Sequence, residues 1–514
     1  MRLSTAVGAV VRVLRRRPSD LLPFYLLGAA VPAIARTGVF AGVVLGYLYL
    51  EVTGRLDAAR EAIPGIEAEV PDPETDPEAF AEWSAEELTP LLEGVFDAEA
   101  VVVLIALLVL TGLFTVVAFV VLYVMVSAGQ LAACDARLRD ERGLVAGVVG
   151  VRRYSLRFLG LYLFELVLWI LATTVVFGTV LAVAVLVLAV DPTGILAILV
   201  FALAALVWLG IVLAIRALFA FAPVAVVVDD RGVFGSLRAT AGFVRRAPVE
   251  AAFYYVVALG STIVLSTLLG ILAIFEVVAI GGVLSALVLA PILDLLKTSL
   301  YGGYRGGLSP PAPVERSIRS QLRGGARRGW HETVGFVRTT PGTHLFVVAT
   351  MFVGFWMGWV AVGPLVGVVD TSIAARLEGH VPPAAAVEFF ANNWLVALTT
   401  AFSGVALAIP ALASIWFNGL FFGAVARLEV APLELVVFVT PHGLFEIPAI
   451  VIGGALGVSL GVAWWRTWRG SIDREAFADH LERAFWVAVG LGLLLALAGF
   501  IEGFVSPYYY RPFL

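Results

Sequence analysis

Long apolar runs separated by short arginine-bearing segments dominate the pattern of this chain. Runs such as Val101–Val126, Ile195–Ile215 and Val487–Ile501 have no polar alternation, and a helix that crosses a bilayer needs about 20 apolar residues. The pattern predicts spans at Leu21–Leu50, Ala98–Ala132, Phe158–Val190, Gly194–Val227, Pro248–Ile274, Glu276–Tyr301 and His344–Val369. Two more follow at Thr440–Trp465 and Ala484–Val505. Between them, Asn392–Arg427 is too long for one ordinary span and short for two. Gly404 and Pro410 near its middle favour two short crossings or a broken helix. The expected fold is therefore all-α, a polytopic integral membrane protein of about eleven crossings, some of them broken or re-entrant.

Charge sets the orientation. Arginine clusters in Arg2–Arg17, Arg137–Arg157, Arg231–Arg246 and Arg305–Arg338, and the positive-inside rule places these on the cytoplasmic side. The acidic segment Glu51–Asp97 then lies outside, as does the tight turn Asp191–Thr193. Two crossings within Asn392–Arg427 put Arg466, Arg469 and Arg474 inside and the tail with Tyr508, Tyr509 and Tyr510 outside. The N-terminus is expected inside and the C-terminus outside. Gly242–Pro248 resembles Gly335–Pro341, with looser copies at Val11–Pro18 and Gly150–Phe158. In each, a basic amphipathic stretch suited to the membrane interface precedes a span. Gly306–Gly329, with Pro310, Pro311, Pro313, Gly324 and Gly325, reads as a cytoplasmic linker. It divides a six-span domain, 1–305, from a second membrane domain, 330–514.

Composition agrees and narrows the classes. The 514 residues are 61% hydrophobic and 14% charged, against about 25% charged in a soluble domain. No basic stripe with interleaved aromatics lies outside the spans, so no nucleic-acid partner is expected. Cys134 is the single cysteine, which excludes an intrachain disulfide and a cysteine metal cluster. Lys297 is the only lysine, and the Ala, Val and Gly bias points to a high-GC genome. The acidic loop would suit a salt-loving archaeon. Met1–Asp20 lacks the layout of a cleavable signal peptide, so the first span is expected to be kept.

Ionisable groups inside spans are expensive and mark a function or a partner. The densest set is C-terminal. Thr440–Pro448 reads as a helix start, with Thr440 as N-cap and Pro441 in the first turn. His442 and Glu446, four apart, then share a face, and Pro448 frees the Leu444 carbonyl. Asn392 and Asn393, Asn418, and Glu502 are the other polar candidates. Alternation of the spans puts Asn392, His442 and Glu502 near the outer leaflet and Asn418 deeper. These groups would satisfy one another, receive a substrate, ion or partner, or hold a metal through His442, Glu446 and Glu502. The motif is not His-Glu-x-x-His, and neither a nucleophile nor a cofactor is expected. In the N-terminal domain, Glu165 is expected to pair with Arg216 and Asp294 with Lys297, while Glu276 sits beside a span. The glycines of Gly453–Ser459 would let helix backbones approach closely.

The stretch Trp330–Tyr509 resembles the stage II sporulation protein M family. The resemblance rests on Phe390-Ala391-Asn392-Asn393, Asn418-Gly419, Pro441-His442-Gly443, Phe445-Glu446-Ile447-Pro448-Ala449 and Ile501-Glu502-Gly503-Phe504-Val505. It implies a multi-span domain entered from the cytoplasm and ending outside. In spore formers the family works with peptidoglycan hydrolases during engulfment as a membrane anchor, and it has relatives in organisms that do not sporulate. Val228–Arg238 leading into Arg245–Pro248 is faintly similar to the membrane domains beside glycerophosphodiester phosphodiesterases, but the catalytic domain is not there. The leading expectation is a non-enzymatic scaffold or complex subunit in the cell membrane, with lipids and a membrane protein as partners. The alternatives are a transporter or permease-like component and an intramembrane metal-dependent hydrolase.

Overall fold

The structure, a computed structural model, describes residues 3–62, 77–190, 193–367 and 369–509. Residues 63–76 of the acidic segment, Asp191 and Pro192 of the expected turn, and Tyr510 lie outside the described residues. The helices in chain order are α1 (Leu3–Arg16), α2 (Leu22–Val52), α3 (Arg55–Ala62), α4 (Pro77–Trp83), α5 (Thr89–Val95), α6 (Ala98–Leu138), α7 (Gly143–Val190), α8 (Ile195–Val228), α9 (Val233–Arg246) and α10 (Pro248–Ala273). There follow α11 (Ile280–Leu284), α12 (Ala290–Tyr304), α13 (Ile318–Thr339), α14 (Pro341–Ala361), α15 (Ile373–Arg376), α16 (Pro382–Ser403), α17 (Ile409–Leu428), α18 (Pro432–Trp468), α19 (Arg474–Phe504) and α20 (Ser506–Tyr509). Among the described residues the one β feature is an isolated bridge between Thr371 and Glu429. Among the described residues ten helices are long and apolar enough to cross a membrane, and the chain is a multi-pass, all-α membrane protein. The eleventh expected crossing corresponds to α16, which has the length but carries Glu388, Asn392 and Asn393.

The chain packs as two compact units that are not contiguous in sequence. One comprises residues 1–28, 121–268 and 284–316, the other 29–120, 269–283 and 317–514. The break at 316/317 falls within the stretch that reads as a linker, but the linker's second half is helical. Ser317 caps α13 by accepting from the Ser320 N–H. Gly329 lies inside that helix, where a Cβ would stand 3.0 Å from the Gly490 nitrogen of α19. A glycine that resembles punctuation in sequence is here a helix–helix contact.

In the first unit, charges that would be costly alone are paired. Asp20, buried, accepts from the N–H groups of Gly143 (2.9 Å) and Leu144 (3.1 Å) and so caps α7 from a distant point of the chain. Arg216 meets Glu165 at 3.2 Å and Lys297 meets Asp294 at 2.7 Å, the pairings expected from sequence. The Tyr25 hydroxyl donates to Asp294 at 3.0 Å. After α8, Asp229 accepts from Tyr301 and Arg305, while Asp230 bridges Arg153 and Arg157 at 2.6 Å each. Those two arginines hold the Asp230 carboxyl below the usual carboxylate range.

The second unit is built on glycine. Gly354 and Gly358 of α14 face Gly419 and Gly423 of α17, and a Cβ at any of the four would collide with backbone of the other helix. The contacts climb both helices together, so α14 and α17 run parallel. The hairpin between α16 and α17 turns at Gly404–Ala408 and rests on Gly457 and Gly461 of α18. Leu407 and Ala408 hold positive φ there, 58° and 63°, a conformation of about 1–2 kcal/mol for L-residues. Pro410 follows within the first turn of α17. α16 runs parallel to α18 and antiparallel to α19, whose Gly492, Gly499 and Gly503 admit Trp394, Phe390 and Ala386 of α16. Without water to drive association, such close backbone approach is what joins helices in lipid.

Candidate polar cluster between α16, α18 and α19

α18 has 37 residues, about 55 Å of helix, well beyond the roughly 30 Å of hydrocarbon. This corrects the expected start at Thr440. The helix begins at Pro432, and Pro441 and Pro448 both lie inside it. The first-turn place expected for Pro441 falls to Pro432, which suits a helix start for the same reason: proline has no N–H to leave unpaired. Thr440 is not a cap, and its hydroxyl instead donates to the Val436 carbonyl one turn back. His442 and Glu446 thus sit more than a turn into the helix, His442 5% exposed.

Four elements converge there. His442 Nε2 lies 4.0 Å from Glu446 Oε2 on α18. Glu502, at the end of α19, brings its carboxylate beside them, and one ligating atom from each of the three residues falls within 4.8 Å of the others. Gly503 makes this possible, because a Cβ there would meet Ala386 N and Pro382 O at 2.8 Å and push the end of α19 off α16. From α16, Asn393 Nδ2 donates to Glu446 Oε1 at 2.9 Å, and Asn392 Nδ2 donates to Asn393 Oδ1 at 3.2 Å. The other imidazole nitrogen, His442 Nδ1, is 2.9 Å from Ser506 Oγ in α20. Glu502 Oε2 is buried and has no hydrogen-bond partner.

Asn418 is differently placed. Its amide donates to the Ser414 carbonyl of its own helix at 2.8 Å, and Ser414 Oγ meets Thr400 Oγ1 at 2.8 Å. Thr400 is about 10 Å along α16 from Asn393, so this is a separate tie between α16 and α17.

Several contributors have no obvious mark in the sequence. Ser506 reaches His442 only because the chain turns after Phe504. His380 Nε2 contacts the Gly503 carbonyl at 2.9 Å. Glu388 accepts from the N–H groups of Val278 and Ala279, at 2.8 and 2.9 Å. Buried Glu429 accepts from Thr371 Oγ1 and Ile373 N, both at 3.1 Å. The acidic character of Glu388 and Glu429 is visible, but their partners, three backbone N–H groups and the Thr371 hydroxyl, are brought near only by folding.

Residues 347–507 match the family model described as Stage II sporulation protein M. The matched segment holds the whole cluster, Asn392 to Ser506, and the facing glycines of α14 and α17. Neither the curated proteins nor the solved structures gave a match.

Proposed function

We propose that the protein is a non-enzymatic scaffold, a subunit of a membrane complex in the cell membrane, with its arginine-bearing connections on the cytosolic side. The observation that carries this reading is a contrast between helices. The most apolar window of α19 is 56% buried by protein, whereas those of α8 and α10 are 0% buried. The glycine-packed C-terminal helices form a closed body, and α8 and α10 offer bare apolar sides to lipid or to another spanning protein. Arg245 and Arg246 at the end of α9, and Arg15 and Arg16 at the end of α1, suit anchoring at anionic headgroups. The match of residues 347–507 to a sporulation family whose member works with other proteins as a membrane anchor points the same way.

Photo-crosslinking inside native membranes tests this. A probe at exposed Leu203 of α8 should capture one recurrent membrane protein at fixed stoichiometry, and a probe at buried Leu491 of α19 should yield only intramolecular products. Lipid adducts alone at Leu203 and at Val256 of α10, or substrate turnover by the purified protein by itself, would defeat the reading.

A further inference from the structure

We infer that His442, Glu446 and Glu502 form a binding site for one divalent transition-metal ion, zinc foremost. The inference is independent of the scaffold reading and draws on four features of the cluster.

The donor set is the first. One imidazole nitrogen and two carboxylates suit zinc, manganese or iron(II), and the imidazole disfavours magnesium and calcium, which take oxygen ligands. The span of the donors is the second. Tetrahedral zinc with bonds near 2.0–2.1 Å holds its ligand atoms about 3.3 Å apart. His442 Nε2 and Glu446 Oε2 stand at 4.0 Å, and all three donors fall within 4.8 Å. The remaining gap of about 0.7–1.5 Å is of the size that a change in glutamate side-chain torsions spans.

The third feature is the outer layer. A metal-bound histidine is held through its other nitrogen, and ligating carboxylates are themselves hydrogen-bonded. Here Ser506 Oγ engages His442 Nδ1, which fixes the ring with Nε2 toward the glutamates. Asn393 engages Glu446 Oε1 and leaves Oε2 facing the imidazole. The groups that a purely structural knot would turn on one another are instead committed to the periphery, and the inward-facing atoms are the ones left over.

The fourth is the unsatisfied atom. Glu502 Oε2 is buried without a hydrogen-bond partner. An orphaned carboxylate oxygen is expensive away from water. Two carboxyl groups packed together, with no lysine or arginine bound to either among the described residues, are costly to ionise by themselves, and a dication held between them would stabilise both charges. Three protein ligands also leave a fourth position open, which is the arrangement of sites that admit water or substrate rather than of closed structural sites.

The test uses the full-length protein in detergent, purified without a histidine tag, stripped with chelator and dialysed against zinc or cobalt(II). The expected result is about one equivalent of zinc retained at micromolar free metal, and visible cobalt d–d absorption of a low-symmetry site. His442→Ala and Glu502→Gln should each lose binding by a hundredfold or more. Ser506→Ala should weaken it about 10–100-fold through loss of the outer contact. Asn418→Ala, whose amide serves the separate α16–α17 tie, should bind as wild type does. Absence of both retained zinc and the cobalt spectrum in monodisperse wild-type protein overturns the inference, and this outcome requires no variant to fold. Equal binding by wild type, His442→Ala and Glu502→Gln overturns it as well, because the metal then sits elsewhere. A failed crosslinking experiment on α8 leaves this result untouched.

Discussion

Replacing Gly419 with alanine should destabilise the protein although it adds only one methyl group. A Cβ at Gly419 would stand 2.9 Å from the Met351 carbonyl carbon and 3.0 Å from the Phe355 nitrogen, with the Met351 oxygen closer still. These are backbone atoms of α14, so no rotamer change relieves the contact and the two helices must separate. A gap of about 0.5–1 Å forfeits a quarter to a half of each van der Waals well along the crossing. Overpacking of this kind costs about 1–3 kcal/mol, offset by up to about 1 kcal/mol from alanine's better helix propensity. The net expectation is a loss of about 1–2 kcal/mol. Gly324→Ala is the control. It lies in the exposed interior of α13 with nothing within 4 Å of the added atom, so it should gain up to about 1 kcal/mol. The two variants should therefore differ by about 1–3 kcal/mol, or roughly 2–12 °C in melting temperature for a unit of this size. Intrinsic tryptophan fluorescence in detergent reads the transition directly. If Gly419→Ala melts with Gly324→Ala, the close parallel crossing of α14 and α17 is wrong.

Two further outcomes follow from individual contacts. Glu429→Ala removes both acceptor oxygens and leaves the buried Ile373 N–H without its partner, and should cost about 1–3 kcal/mol. Limited proteolysis should then cut faster between Val369 and Pro382, and an unchanged rate would refute the buried role of Glu429. Asp230→Asn should cost less than about 1 kcal/mol, because its two arginine contacts are largely solvated. Since the Asp230 carboxyl is held below its ordinary range, its contribution is complete above about pH 4 and disappears as pH falls through the lower folded value. In thermal unfolding wild type and variant should differ at pH 7 and draw together as the pH is lowered below the ordinary carboxylate range, whereas a constant difference would refute the ion pairs.

The sequence by itself determined the solvent, the helices and their alternation. Continuous apolar runs admit no other stable backbone in lipid than a helix, so spans such as α8 and α10 are legible from residue type alone. The pairs Glu165–Arg216 and Asp294–Lys297 were legible for a related reason: the first joins spans adjacent in sequence, and the second joins one turn of one helix. The break in Asn392–Arg427 was visible in Gly404 and Pro410. The start of α18 was not, because Thr440-Pro441 carries the local signs of a helix beginning while packing extends the helix back to Pro432. Only the tertiary structure decided which polar groups meet. Glu502 is fifty-six residues beyond Glu446 in the sequence, and its approach depends on Gly503 and Gly499 letting α19 lie against α16. Ser506 joins through a turn after α19, and Asn418, equally plausible from sequence, is held by its own helix. Periodicity reports what each helix is made of, whereas the meeting of side chains from three helices depends on how closely their backbones pack, which no single segment encodes.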